Sequence, residues 1–268
     1  VQYTGENTFI GNGTDVCLPR AVDNPVRWVY TPNPDCYLLK SDSLIVRVDL
    51  STASITYLDK EGGLLLQEDQ NIPRISEKRV TKQVIYDEHS KHIEKTADGD
   101  KEIKNVLRYD TIGHTWKYRI NFKWQPLEAL YGWGAHMEDY MNLRGKELYL
   151  CQHNLKAMVP VLNSTAGYGL LFDAGCAMMF KDNSEGSFVE LEAAKQIDYY
   201  FMKGKTMDAV VANYRLLTGN SPIMPLYLFG YIQSKERYVS SDDLINTLKE
   251  YRQRQIPVSY THLRAHET

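Results

Sequence analysis

The stretch 116–124, "WKYRINFKW", admits one regular conformation. Trp116, Tyr118, Ile120, Phe122 and Trp124 alternate without a break with Lys117, Arg119, Asn121 and Lys123. Successive side chains of a strand point to opposite faces, so the five large apolar groups form one face and the polar groups the other. A half-buried strand of this kind belongs in an antiparallel sheet, with its apolar face against a core and its charges in water.

Other segments before about Gln196 repeat the theme. "SLIVRVDL" and "SITYLD" are short strands joined by a small polar turn, and "KEGGLLLQE" sets a Gly-Gly turn before another apolar run, as a hairpin requires. "TADGDKE" supplies an Asp-Gly turn, and "MVPVLNSTAGYGLLFDAG" reads as two strands around a glycine turn. Short strands at this spacing predict a mainly β fold, a sandwich or a barrel.

From Gly204 the period changes. Met207, Val210, Val211, Tyr214 and Leu217 recur at helical spacing, and Gly219 with Pro222 stops the helix. "LYLFGYI" is apolar throughout, as expected of a parallel strand buried on both faces and ending at Gln233. In "SSDDLINTLKEYRQRQ", Ser240 and Asp243 form a helix cap, with Leu244, Ile245, Leu248 and Tyr251 as the apolar stripe. "IPV" then opens a second apolar run, so the order is one βα unit and the start of the next. The predicted division is a β-sandwich over 1–203, a helical junction over 204–225 and the start of an α/β barrel over 226–257.

A second parallel strand should continue "IPV" with further apolar residues, but Ser259, Tyr260, Thr261 and His262 follow. "VSYTHLRAHET" reads as the translation of a transposon-end sequencing adapter, so 258–268 is expected to be a non-native tail. His262 and His266 fall within it, and their spacing is set aside as a metal signal.

Composition narrows the partners. At 43% hydrophobic, 24% charged and a net charge of −3, the chain suits a globular protein and argues against nucleic acid or an anionic membrane surface. No segment approaches the roughly 20 apolar residues of a membrane helix. Cys17, Cys36, Cys151 and Cys176 include no Cys-x-x-Cys pair, which argues against a zinc ribbon; Cys17 and Cys36 are read as thiols, with a disulfide as the alternative. No metal or other cofactor is implied.

Two segments carry candidate chemistry. In "EALYGWGAHMEDYMNLRGKELYLCQHN", Gly132 and Gly134 flank Trp133, and His136, Glu138 and Asp139 follow. This suits either a pocket rim with an aromatic for stacking or a solvated connection between strands. In "LTGNSPIMPLYLFGYIQSKERY", residues 234–238 form the loop after the first parallel strand. Such loops carry substrate contacts in α/β barrels, which selects Gln233, Lys235, Glu236, Arg237 and Tyr238. The other reading is an ordinary surface loop.

These segments, in this order, resemble glycoside hydrolase family 31, the α-glucosidase and α-xylosidase family. "ALYGWG" matches its Tyr-Gly-x-Gly turn, and "VPVLNSTAGYGLLFD" its Pro-(apolar)-x-x-Ser-x-x-Gly-Tyr-Gly strand pair. "IDYYFMKGKTMDAVVANYRLLTGNSPIMP" matches its domain junction and "LYLFGYIQSKERYVSSDDLINTLKEYRQRQIPV" its first barrel strand and helix. The chain departs at Ala135, where the family commonly has Glu, and at Tyr227-Leu228, where it often has Trp-Ala. The resemblance implies a galactose-mutarotase-like β-sandwich followed by a (β/α)8 barrel, here truncated after its first βα unit. It implies retaining hydrolysis of α-glycosides, an oligosaccharide or α-glycoside as partner, and two catalytic aspartates on later barrel strands, past the end of this sequence. Trp133, His136, Gln233, Glu236 and Arg237 are the candidate substrate-binding residues. A stand-alone glycan-binding sandwich and a mutarotase-type epimerase are the alternatives, and the βα unit and the junction disfavour them.

Overall fold

The computed structural model describes residues 1–10, 16–18, 27–96, 99–235, 238–258 and 260–263. It divides into two compact units, 1–219 and 220–268.

The first unit begins with β1 (Gln2–Tyr3), β2 (Val29–Pro32), β3 (Cys36–Lys40), β4 (Leu44–Asp49), β5 (Ile55–Asp59) and β6 (Leu64–Glu68). Next come the long β7 (Arg74–Tyr86), β8 (His92–Thr96), β9 (Gly99–Ile103) and the longer β10 (Val106–Lys123). Then follow β11 (Leu130–Ala135), β12 (Glu147–Leu150), β13 (Ala157–Ser164), β14 (Tyr168–Phe172), β15 (Met178–Asn183), β16 (Gly186–Ala194) and β17 (Ile197–Lys203). Two sheets result. A five-stranded sheet runs β1-β17-β14-β13-β11, and a ten-stranded sheet runs β12-β15-β16-β10-β6-β5-β4-β3-β2 with β7 also paired to β10. β8 and β9 pair as a separate hairpin, whose turn at 97–98 lies outside the described residues.

The alternation at 116–124 decides how the sheets face each other. Tyr118, Ile120, Phe122 and Trp124 are buried against the five-stranded sheet, and Trp116 packs at the margin of the same core. Across the sandwich Tyr57 stacks on Phe201 with ring centroids 3.9 Å apart, and Phe122 meets Tyr199 edge-on at 6.3 Å. On the outer face Lys117 and Arg119 both reach Glu190 of β16, at 2.6 and 2.8 Å.

Helix α1 (Met207–Thr218) covers the other side of the five-stranded sheet, where Val210 packs with Leu171 and Met202. Full burial of one such valine contributes about 1.5–3 kcal/mol. The Thr206 hydroxyl accepts from the Ala209 N–H at 3.2 Å to start the helix, and Gly219, at φ +92°, ends it. The helix explains why all of "YGLLF" in β14 is buried: one face meets the sandwich core and the other meets α1. The first compact unit therefore includes α1 and runs to Gly219, past the Lys203 boundary that the sequence suggests. No disulfide joins Cys17 to Cys36, and all four cysteines are thiols.

In the second unit the strand expected over "LYLFGYI" is shorter and later. Leu226–Phe229 form a 3-10 turn, closed by the Leu228 N–H on the Pro225 carbonyl, and β18 covers Ile232–Lys235. Leu226 and Phe229 are 87% and 76% exposed. A strand that is apolar on both faces needs cover on both, and among the described residues of this unit only α2 (Ser241–Gln253) and β19 (Tyr260–Leu263) accompany β18 as regular elements. The expected cap of α2 forms: Ser240 Oγ accepts from the Asp243 N–H at 3.2 Å. β19 pairs in parallel with β18, Ile232 opposite Tyr260. It lies within 258–268, where the sequence breaks the apolar run. A parallel ladder joins backbone groups, so it accepts any extended segment that reaches the free edge.

Candidate functional site

The Gly-Trp-Gly turn of β11 faces a β-bulge in β13, where residues 159–161 stand opposite Trp133 alone. Register against β13 shifts between the pairs Gly132–Leu162 and Gly134–Met158. Gly132, Trp133 and Gly134 all have positive φ, at +123°, +61° and +92°. A Cβ at Gly132 would lie 2.3 Å from the Val161 carbonyl oxygen, and one at Gly134 would lie 1.9 Å from that of Ala157, so both positions require glycine. The turn leaves Trp133 facing inward. Its ring is fully buried, with centroids 5.7 Å from Phe172 and 6.0 Å from Phe180. This corrects the expectation of a stacking platform: a ring with no accessible face packs the core and cannot receive a sugar.

His136 follows the turn. Its Nε2–H donates to the Trp133 carbonyl at 2.7 Å, and its side chain is 9% exposed. Nδ1 lies 4.0 Å from Glu138 Oε2, and the other Glu138 oxygen pairs with Lys156 Nζ at 2.8 Å. The hydrogen bond from Lys156 holds the Glu138 carboxyl below its ordinary range. Gln233 belongs to the second unit, where its Oε1 accepts from the hydroxyls of Tyr231 at 2.8 Å and Tyr251 at 2.6 Å. Glu236 and Arg237 lie outside the described residues, as do the side chains of Ser234 and Lys235. Trp133 and His136 are thus fixed within one unit and Gln233 within the other.

The sequence alone misses two buried polar clusters. In the first, Ser164 and Tyr168 both donate to Glu128 Oε2, Tyr168 at 2.8 Å, and the Gln125 N–H donates to Oε1 at 2.5 Å. The serine and tyrosine of the Ser-x-x-Gly-Tyr-Gly strand pair therefore satisfy a buried acid. Burial, and then Glu128 itself, push the Tyr168 hydroxyl well above its ordinary pKa. In the second, Arg74 holds Glu68 through both oxygens, at 2.7 and 2.5 Å. The Ile55 N–H and the Tyr199 hydroxyl also donate to Glu68, and Tyr199 in turn meets the Tyr57 hydroxyl at 3.0 Å. Burial raises the Glu68 carboxyl despite the guanidinium beside it. Asp182 is held by Arg144, Ser187 and the Gly145 N–H, and Glu190 by Lys117 and Arg119. Each buried carboxylate thus has its own fixed partners, an arrangement suited to holding strands together.

No family profile matches the chain. Among curated proteins it is similar to an α-xylosidase of Saccharolobus solfataricus, 27% identical over 265 residues, covering 96% of this chain and 31% of that protein. It is also similar to a family 31 glucosidase of Pseudescherichia vulneris, 29% identical over 150 residues, covering 55% of this chain and 28% of that protein. Among solved structures, the GH31 dextranase of Flavobacterium johnsoniae aligns over 97% of this chain and 29% of its own, with a TM-score of 0.69 and 22% identity. A GH31 α-xylosidase from a soil metagenome, complexed with xylose, aligns over 95% of this chain and 35% of its own, with a TM-score of 0.69 and 21% identity. The chain spans 31% or less of the length of these two curated relatives.

Proposed function

We propose that this chain is part of a glycoside hydrolase family 31 protein, a retaining α-glycosidase acting on α-xylosides or α-glucosides. The observation that carries the reading is the similarity to an α-xylosidase over 96% of the chain. The order of a β-sandwich followed by α1, β18 and α2 supports it.

Retention requires a nucleophilic carboxylate and an acid that later serves as base, about 5–5.5 Å apart. The carboxylates of this chain are not offered for that role: its buried ones are already committed to strand-holding partners. The pair is expected on later barrel strands, in the part of the relatives that this chain does not match. The contribution proposed for these residues is binding. Gln233, in the second unit's strand, with Glu236 and Arg237 as the sequence candidates that follow it, is proposed to contact sugar; His136 is a separate candidate in the first unit.

The test is to assay the purified chain on aryl α-xyloside and aryl α-glucoside beside a longer protein extended from the source gene. We expect turnover from the longer protein and none from the chain alone. Turnover by the chain, abolished by Glu236→Gln, would overturn the assignment of the chemistry.

A further inference from the structure

The outer face of the ten-stranded sheet carries a groove of ≈ 860 Å³, within the usual range for small-molecule sites. Its floor is the outward row of β10 and β6: Arg119, Asn121 and Lys123, with Gln67 directly opposite Lys123. The turn after β6, with Asn71 and Ile72, makes one wall, and Gln125 with Arg144 contributes to the other.

Two of the amides here are held in place. Asn121 Nδ2 donates to the Ile72 carbonyl at 2.7 Å, and Gln125 Nε2 donates to the carbonyls of Leu64 and Leu65 at 2.7 and 2.9 Å. Each cation already has a carboxylate: Arg119 pairs with Glu190 at 2.8 Å, Arg144 with Asp182 at 2.8 Å and Lys123 with Asp69 at 3.5 Å. An anionic ligand would have to break one of those pairs. What remains for a ligand is one exposed carboxylate, Glu185, and otherwise uncharged groups. Asn121 Oδ1, Gln125 Oε1 and the side-chain amides of Gln67 and Asn71 have no hydrogen-bond partner among the described residues. Beside them, Leu64, Ile72 and Ile75 expose aliphatic surface. The lining aromatics, Phe122 and Trp124, are buried, so no ring is offered for stacking a base.

Two anchored amides and two unpartnered ones, next to aliphatic surface and with every lining cation already paired, match hydroxyls next to C–H faces. We infer that this groove binds a neutral oligosaccharide, through the amides of Gln67, Asn71, Asn121 and Gln125. The inference goes beyond the proposed function, because it concerns binding by the sandwich and involves no hydrolysis.

The experiment titrates the whole 268-residue chain with maltotriose, with xylotriose and, as a charged counterpart, with trigalacturonic acid. Side-chain amide resonances and tryptophan fluorescence report binding. A neutral trisaccharide should bind saturably and shift the amides of Gln67, Asn71, Asn121 and Gln125. The double variant Gln67→Ala/Asn71→Ala should keep its circular dichroism and bind about tenfold more weakly, the loss expected for about two neutral hydrogen bonds. Absence of saturable binding by either neutral sugar overturns the inference. So does saturation that leaves those four amides unmoved, unchanged affinity in the double variant, or tighter binding of the charged sugar.

Discussion

Replacing Arg74 with methionine tests the buried cluster directly. In the native protein the Arg74 and Glu68 side chains are 8% and 0% exposed and are joined through both carboxylate oxygens. Water does not screen this pair. Methionine keeps much of the arginine volume but leaves Glu68 with only the Ile55 N–H and the Tyr199 hydroxyl. Removing one partner of a buried pair costs about 3–5 kcal/mol, because the remaining charge is uncompensated. In a domain of this size that lowers Tm by roughly 6–20 °C. The cost should depend on pH. Glu68 already titrates above its ordinary 4.5 through burial, and loss of the guanidinium pushes it higher. A carboxyl raised in the folded state contributes full stability below its unfolded pKa and loses it as pH rises through the folded one. The gap between Arg74→Met and the native protein should therefore be widest near neutral pH, close as pH falls through the two raised folded-state pKa values, and be smallest by pH 4.5. Urea titration followed by tryptophan fluorescence is the assay, since all four tryptophans (Trp28, Trp116, Trp124 and Trp133) lie in the first unit. The double variant Glu68→Gln/Arg74→Met should regain much of the loss at pH 7. A cost below about 1 kcal/mol at pH 7, or a double variant no more stable than Arg74→Met, would refute the assignment of the penalty to an orphaned carboxylate.

Two further outcomes follow from the geometry. Gly134→Ala should cost about 3 kcal/mol or more in urea denaturation, since its Cβ meets the Ala157 carbonyl. Gly62→Ala, at a similar φ but in open space, should cost about 1–2 kcal/mol, and equal costs would remove sterics as the cause. Deleting 220–268 should reduce self-association in light scattering, because Ile223, Leu226, Phe229 and Val239 expose apolar surface. A full chain that is monomeric and melts no lower than the truncated one would contradict this.

The sandwich is legible where one physical rule acts alone. At 116–124 side-chain parity is the whole signal, and the buried set of Tyr118, Ile120, Phe122 and Trp124 follows from it. The end of α1 is legible because Gly219 acts locally. Trp133 is misread because its flanking glycines suggest an exposed turn, whereas the three successive positive φ values they permit leave the ring facing inward. "LYLFGYI" is misread because its composition reports the cover it is suited to rather than the neighbours it has in this unit. The clusters around Glu68 and Glu128 are illegible for another reason. Tyr199 is 131 residues from Glu68 and Tyr168 is 40 residues from Glu128, and no period links a lone carboxylate to such distant partners.

The pairing of β1 with β17, Gln2 opposite Asp198, has a consequence for synthesis. At about 5–20 residues per second, the first strand waits roughly 10–40 s for its partner to leave the ribosome. Over much of that interval β2 to β7 and β10 can already pair with one another, while the strands that cover their aromatic face are still being made. The nascent chain thus presents Tyr57, Tyr118 and Phe122 uncovered, as a surface for holding chaperones. Slowing translation before codon 197 should lengthen that exposure, and a burst of synthesis through β17 should shorten it.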